Sequence, residues 1–252
     1  MINKLLRYGL PAFALAALPL LATAPPAAAT VPGHERPFTS SAPAQPPAPG
    51  AGSRAPLPLF EAVDRIPVAV EQREGYKRDL YRHWNKGLDV GDGCDTRREV
   101  ILSEAVEKPE VSAGCKLTGG SWLSPYDGVT VTAAGGLDVD HMVPLAEVHD
   151  SGGYAWDATR REAYANDQAS PVTLIAVTAK SNRSKADKDP AQWMPPAGEY
   201  RCQYTAEWVA TKLRWDLAAD EAEREALLGL AQDCPGTTVE YQPASPAGGE
   251  LR

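Results

Sequence analysis

The string Asp138-Val139-Asp140-His141-Met142-Val143-Pro144 constrains this chain more than any other stretch. Leu137 to Val143 alternates apolar and polar side chains as a half-buried strand does, and Pro144 bars its continuation as a central strand. Gly135-Gly136 turns the chain into it. Residues 145–149 begin a helix, and Trp156 to Asn166 is a second helical stretch. Leu174-Ile175-Ala176-Val177 is a short buried run leading into Ser181-Asn182-Arg183-Ser184-Lys185. The expected class is α+β.

The residue types in these strings carry a definite chemistry. Asp140 is a hard oxygen ligand suited to magnesium or manganese, and the amide carbonyl of Asn182 can supply a second oxygen. A neutral His141 imidazole accepts a proton near physiological pH. A base for water together with positive charge for a leaving oxygen is what hydrolysis of a phosphodiester requires. In a regular strand Asp140 and His141 point to opposite faces, so a bend or bulge is expected if both serve one site.

The ends of the chain read differently from its middle. Lys4 and Arg7 head an apolar run from Leu10 to Leu21, and Ala27-Ala28-Ala29 offers small residues for cleavage, the pattern of a secretory signal over residues 1–29 cut near Ala29. The run is short and broken by prolines, too short for a membrane span. Residues 30–58 and 236–252 are rich in Pro, Ala, Gly and Ser, compositions that bury too little apolar surface to offset the entropy of ordering; they read as a tether and a tail. One domain, 59–235, remains.

Four cysteines lie in that domain, and an even count in an exported chain argues for disulfides. Of the three pairings, Cys94 with Cys115 and Cys202 with Cys234 is favoured because each pair flanks a compact segment; paired C-x-x-C knuckles for zinc are lacking. The net charge of −8 becomes −10 once Lys4 and Arg7 leave with the signal. Binding nucleic acid through the overall field is therefore disfavoured, although Lys180, Arg183, Lys185 and Lys188 make a local basic track.

Elsewhere Tyr76, Leu80 and Trp84 recur at four-residue spacing, which predicts a helix over Glu71 to Lys86. Thr96 to Leu102 reads as a helix capped by Thr96. Ser121-Trp122-Leu123 and Val129 to Thr132 read as short strands. Thr205 to Trp215 and Ala218 to Gln232 read as helices. Glu147 and His149 are expected on a solvated helix face, His83 on a helix surface or in a local hydrogen bond, and Trp122, Trp193 and Trp208 in the core.

Asp138-Val-Asp140-His141-Met-Val-Pro144 with Ser181-Asn182-Arg183-Ser-Lys185-Ala-Asp187 resembles the ββα-metal motif of the HNH nuclease superfamily. The nearer resemblance is to the HNH family that includes the C-terminal domain of GmrSD-type restriction enzymes and many exported actinobacterial proteins. It extends to Tyr81-x-x-Trp84 and to Cys94-Asp95-Thr96-Arg97-Arg98-Glu99, covering most of the domain. The resemblance implies a ββα core with His141 as general base, Asn166 bracing the loop that carries it, and one divalent ion, Mg²⁺ or Mn²⁺, on Asp140 and Asn182. By their chemistry Arg97, Arg183 and Lys185 are candidate phosphate-binding residues. The expected activity is metal-dependent hydrolysis of DNA with little sequence preference. RNA, or both nucleic acids, is the first alternative; an exported binding protein holding structural calcium on Asp138 and Asp140 is the second.

Overall fold

The computed structural model describes residues 56–245. The expected signal and the tether up to residue 55 lie outside the described residues. In chain order, β1 (Leu57–Pro58) and α1 (Leu59–Asp64) are followed by a long irregular stretch and α2 (Thr96–Ser103). Two antiparallel hairpins come next, β2 (Glu110–Ser112) with β3 (Lys116–Thr118), and β4 (Trp122–Ser124) with β5 (Val129–Val131). Then come β6 (Leu137–His141), α3 (Leu145–Asp150), α4 (Ala158–Ala165), β7 (Leu174–Thr178) and α5 (Ala179–Lys185). The described part closes with α6 (Arg201–Trp215), α7 (Glu221–Asp233) and β8 (Thr238–Val239). The class is α+β, as expected.

The sequence signals explain most of these boundaries. Four helices start behind a side chain that accepts an otherwise orphaned backbone N–H: Asp95 before α2, Asp157 before α4, Thr178 before α5 and Asp220 before α7. The cap of α2 is thus Asp95, one residue before the Thr96 expected. β1 and β8 pair antiparallel, Leu57 with Val239 and Pro58 with Thr238, so ordered backbone reaches past both ends of the expected 59–235.

β6 and β7 form a two-stranded antiparallel ladder in unbroken register, Leu137 opposite Thr178 through His141 opposite Leu174. Period-two alternation sends Leu137, Val139, Leu174 and Ala176 to one face, where they join Val100 and Ile101 of α2 and Trp122 in a small core. Ile175 and Val177 leave from the other face into the large core, built mainly by α1, α3, α6 and α7. This ladder between two apolar clusters is the rigid base of everything polar described below. Each large aliphatic side chain buried there stabilises by about 1.5–3 kcal/mol.

Both favoured disulfides are present, Cys94–Cys115 and Cys202–Cys234. No described helix is long and apolar enough to cross a membrane. Trp122 and Trp208 are fully buried, as expected of core residues.

Two expectations fail. The helix over Glu71 to Lys86 is instead an extended strap with a single 3-10 turn at Arg78–Leu80. Gly75 and Trp84 take positive φ, 80° and 62°, which no α-helix accommodates, and Leu80 is exposed rather than part of a buried stripe. Tyr81 is the strap's anchor, fully buried against Gly153, where a Cβ would lie 2.5 Å from its hydroxyl oxygen. Likewise Glu147 and His149 are buried, not solvated. Lys212 Nζ donates to Glu147 (2.9 Å), and His149 Nε2 donates to the Glu74 carbonyl of the strap (3.1 Å).

Candidate active site

Asp138 and Asp140 leave β6 on the face covered by α5. Asp140 is 6% exposed, and its Oδ2 accepts from Tyr126 Oη at 2.7 Å and Lys185 Nζ at 2.6 Å. Lys185 is fully buried and donates in addition to the carbonyls of His141 and Met142, both at 2.9 Å. Burial pushes the Asp140 carboxyl up and the Lys185 ammonium down, and the ion pair opposes both shifts. Because both donors converge on Oδ2, neither occupies Oδ1. One turn back along α5, Asn182 Nδ2 donates to Asp138 Oδ2 at 3.1 Å. That bond fixes the amide so that its oxygen points elsewhere.

His141 leaves from the opposite face. Its ring lies between Trp84 and Tyr164, with centroids at 5.5 and 6.0 Å and both pairs 25° from parallel. Nε2 is 3.0 Å from the Ala165 carbonyl. A carbonyl only accepts, so Nε2 carries the proton and Nδ1 keeps the lone pair. Burial lowers the imidazole pKa to about 3; the Ala165 contact opposes the shift, and His83, Arg78 and Lys185 add to it. His141 is therefore a neutral acceptor over the whole physiological range.

The Ala165 carbonyl is itself held. Asn166, which ends α4, accepts from Asn85 N at 2.9 Å through Oδ1, and its Nδ2 donates to the carbonyls of Arg82 and Glu162, both at 2.8 Å. One amide thus ties the strap to the end of α4.

No bulge brings Asp140 and His141 to one face. Both nevertheless line one cavity of about 430 Å³, together with Val139 just before them in β6 and Asn182 and Arg183 of α5. Three consecutive residues of a strand can line one space only along its edge, and β6 pairs with β7 on one side alone. The cavity lies along that free edge, where side chains from both faces reach it.

Residues 78–230, more than half of the 252-residue chain, match the family described as GmrSD restriction endonucleases, C-terminal domain. The chain belongs to that family. It is also 40% identical over 162 residues to an uncharacterized secreted protein of Arthroderma benhamiae, an alignment spanning 64% of this chain and 77% of the relative. No solved structure matches.

Membership of the GmrSD family places the chain with nuclease-like proteins, and each residue expected to act as one can be located. Asp140, His141, Asn182 and Arg183 share the cavity; Arg183 is exposed, 3.9 Å from Asp138. Lys185 is not a phosphate contact. It is buried, and its three protons already face three acceptors. Arg97 spends Nη2 on the Leu137 carbonyl at 2.7 Å, at the start of β6 rather than beside His141. Asp138 and Asp140 do not converge as a calcium pair, since each is engaged by a different α5 side chain. The carboxylate groups close enough to share an ion among the described residues are others: Glu71 with Asp189 and Asp220, and Glu71 with Glu147 and Asp150.

Tyr126, Trp84, Tyr164 and Arg78 complete the surroundings and were not singled out for the site. Tyr81-x-x-Trp84 is the sequence signal for this wall, though the four-residue spacing over the same stretch predicts a helix where the structure has the strap.

Proposed function

We propose that this chain is an exported, metal-dependent endonuclease of HNH type that hydrolyses DNA with little sequence preference. The observation that carries the reading is the shared cavity, where an imidazole with a free Nδ1 lone pair sits beside a carboxylate and an amide oxygen at the end of a strand-strand-helix unit. In the proposed domain plan, residues 1–29 direct export, the chain from residue 30 up to β1 is a tether, the nuclease domain runs from β1 through β8 rather than only 59–235, and a tail follows β8. The disulfides and the relative named as secreted support export.

Asp140 and Asn182 fit one hard divalent ion, Mg²⁺ or Mn²⁺. Neither Tyr126 nor Lys185 takes Asp140 Oδ1, and Asp138 holds the Asn182 amide by its nitrogen end. Such an ion supplies positive charge for the departing 3′ oxygen. His141 Nδ1 takes the proton of the attacking water, while the Ala165 carbonyl keeps the ring in the required tautomer. An incoming phosphate favours the imidazolium and so raises the low basicity that burial imposes. Arg183 contacts the substrate backbone. Asn166 does not touch substrate in this scheme; it positions the ring through the end of α4.

The test is digestion of supercoiled plasmid, single-stranded DNA and RNA by the purified protein, with and without EDTA. Wild-type protein should nick plasmid only when divalent ion is present, and His141→Ala should lose at least about 100-fold in rate. Plasmid cut by His141→Ala as fast as by wild type sinks the assignment of the base. Cleavage that persists in EDTA sinks the role of the ion.

A further inference from the structure

The strap over residues 76–84 reaches the cavity with two side chains that the scheme above leaves unused, Tyr76 and Arg78, and only the second is charged. Arg78, on the 3-10 turn, lines the same cavity as His141, Asp140 and Asn182. It is exposed, and its Nη2 lies 3.4 Å from His83 Nε2. His83 Nδ1 lies 2.7 Å from the Tyr81 carbonyl and must donate to it, so Nε2 presents a lone pair to the guanidinium. Tyr81 is fully buried, and Asn166 holds the Arg82 carbonyl beside it. The backbone between Arg78 and His83 is therefore anchored at two successive residues.

The charge balance around the cavity gives this arginine a purpose. The carboxylates there already have partners: Asp140 pairs with Lys185 at 2.6 Å, and Asp187 with Arg73 at 2.9 Å. Arg73 is further engaged by Asp150. Among the described residues no carboxylate pairs with Arg78 in this way. Its charge faces the cavity with no carboxylate paired to it, and Arg183 of α5 lines the same cavity. A planar fork of N–H donors with no carboxylate partner, steadied by His83, beside a cavity that a second arginine also lines, suits a phosphodiester oxygen pair.

We propose that Arg78 binds a backbone phosphate of the nucleic-acid substrate in this cavity and that His83 is the positioning residue that aims its guanidinium. The inference rests on the nuclease reading and adds a substrate contact from a wall of the site outside the Asp140–His141 and Asn182 strings.

The experiment measures binding of a fluorescein-labelled DNA duplex by anisotropy in EDTA across a salt series, with steady-state cleavage measured separately in Mg²⁺. Arg78→Ala should weaken binding roughly tenfold and flatten the slope of log affinity against log salt by about 0.9, the share of one neutralised phosphate. Arg78→Lys keeps the charge and hence the slope, but loses the fork, so KM should rise. His83→Ala should raise KM with little change in kcat. His83→Gln should restore it, because its amide can both donate to the Tyr81 carbonyl and accept from Arg78. Wild-type affinity and slope in Arg78→Ala, in a preparation whose wild type binds and cuts DNA, overturn the proposal while leaving the nuclease reading intact. A wild type that neither binds nor cuts DNA or RNA overturns the nuclease reading itself, and this contact with it.

Discussion

Asn166 lies behind the cavity rather than in it, and its amide bears on the proposed base, His141, only through the end of α4. It gives two protons to carbonyls and accepts one backbone N–H, a pattern only an amide of this length satisfies. Asn166→Asp keeps the shape but turns both donors into acceptors facing the Arg82 and Glu162 carbonyls. The cost should be about 1–2 kcal/mol in urea unfolding, with a fall in cleavage rate larger than that loss of stability explains, because the Ala165 carbonyl loosens with the end of α4. Unchanged stability and rate would mean the brace is idle. At this scale the sequence was legible where chemistry is concentrated in short strings: Asp140, His141 and Asn182 do meet at one cavity. It was illegible where a residue's role depends on what the fold brings beside it. Tyr126 is distant in sequence from Lys185, yet both hydrogen-bond the same oxygen. Lys185 looked like a phosphate contact because a charge next to Asn182 in sequence says nothing about burial.

At the scale of elements, α2 is joined to β7 by a contact that carries its own pH dependence. β7 uses one edge on β6, and on its other edge Ala176 N donates to Glu104 at 2.9 Å, just beyond the end of α2. Burial pushes the Glu104 carboxyl up from 4.5 to about 7, with the Ala176 N–H opposing and Glu207 adding. The folded state therefore holds a proton between pH 4.5 and 7 that the unfolded chain has released. Stability from this group is full below pH 4.5 and is lost as pH rises through 7. Glu104→Gln keeps an acceptor for Ala176 and cannot ionise. It should melt above wild type at pH 8, and the gap should narrow near pH 5; a gap of equal size at both values would refute the attribution. Elements with a cap or a breaker were readable from sequence, as Pro144 after β6 and Asp157 before α4 illustrate. The strap was not, because Tyr76, Leu80 and Trp84 imitate helical spacing while the positive φ of Gly75 and Trp84 answers to the tertiary seat of Tyr81.

For the whole molecule the two disulfides do different work, although their loops are similar. They close 21 and 32 residues, for which chain entropy gives about 3 and about 4 kcal/mol. Cys202–Cys234 joins the first turn of α6 to the end of α7, and both cysteines pack in the large core with α1 and α3. Cys94–Cys115 instead ties the approach to α2 to the β2–β3 hairpin, whose strand residues are largely exposed. Freeing that hairpin releases little buried surface, so its opening can stay local while the cores persist. Replacing Cys202 and Cys234 with Ser should therefore cost close to the full chain-entropy figure and shift the main urea transition. The Cys94→Ser, Cys115→Ser protein should lose clearly less and show early amide exchange confined to residues 105–120. Equal losses in the two proteins would mean that the hairpin unfolds with the cores as one unit. The ladder of β6 and β7, which carries Asp140 and His141, lies between those cores and is not closed by either disulfide, so nicking activity should survive the milder loss and fail with the severer one.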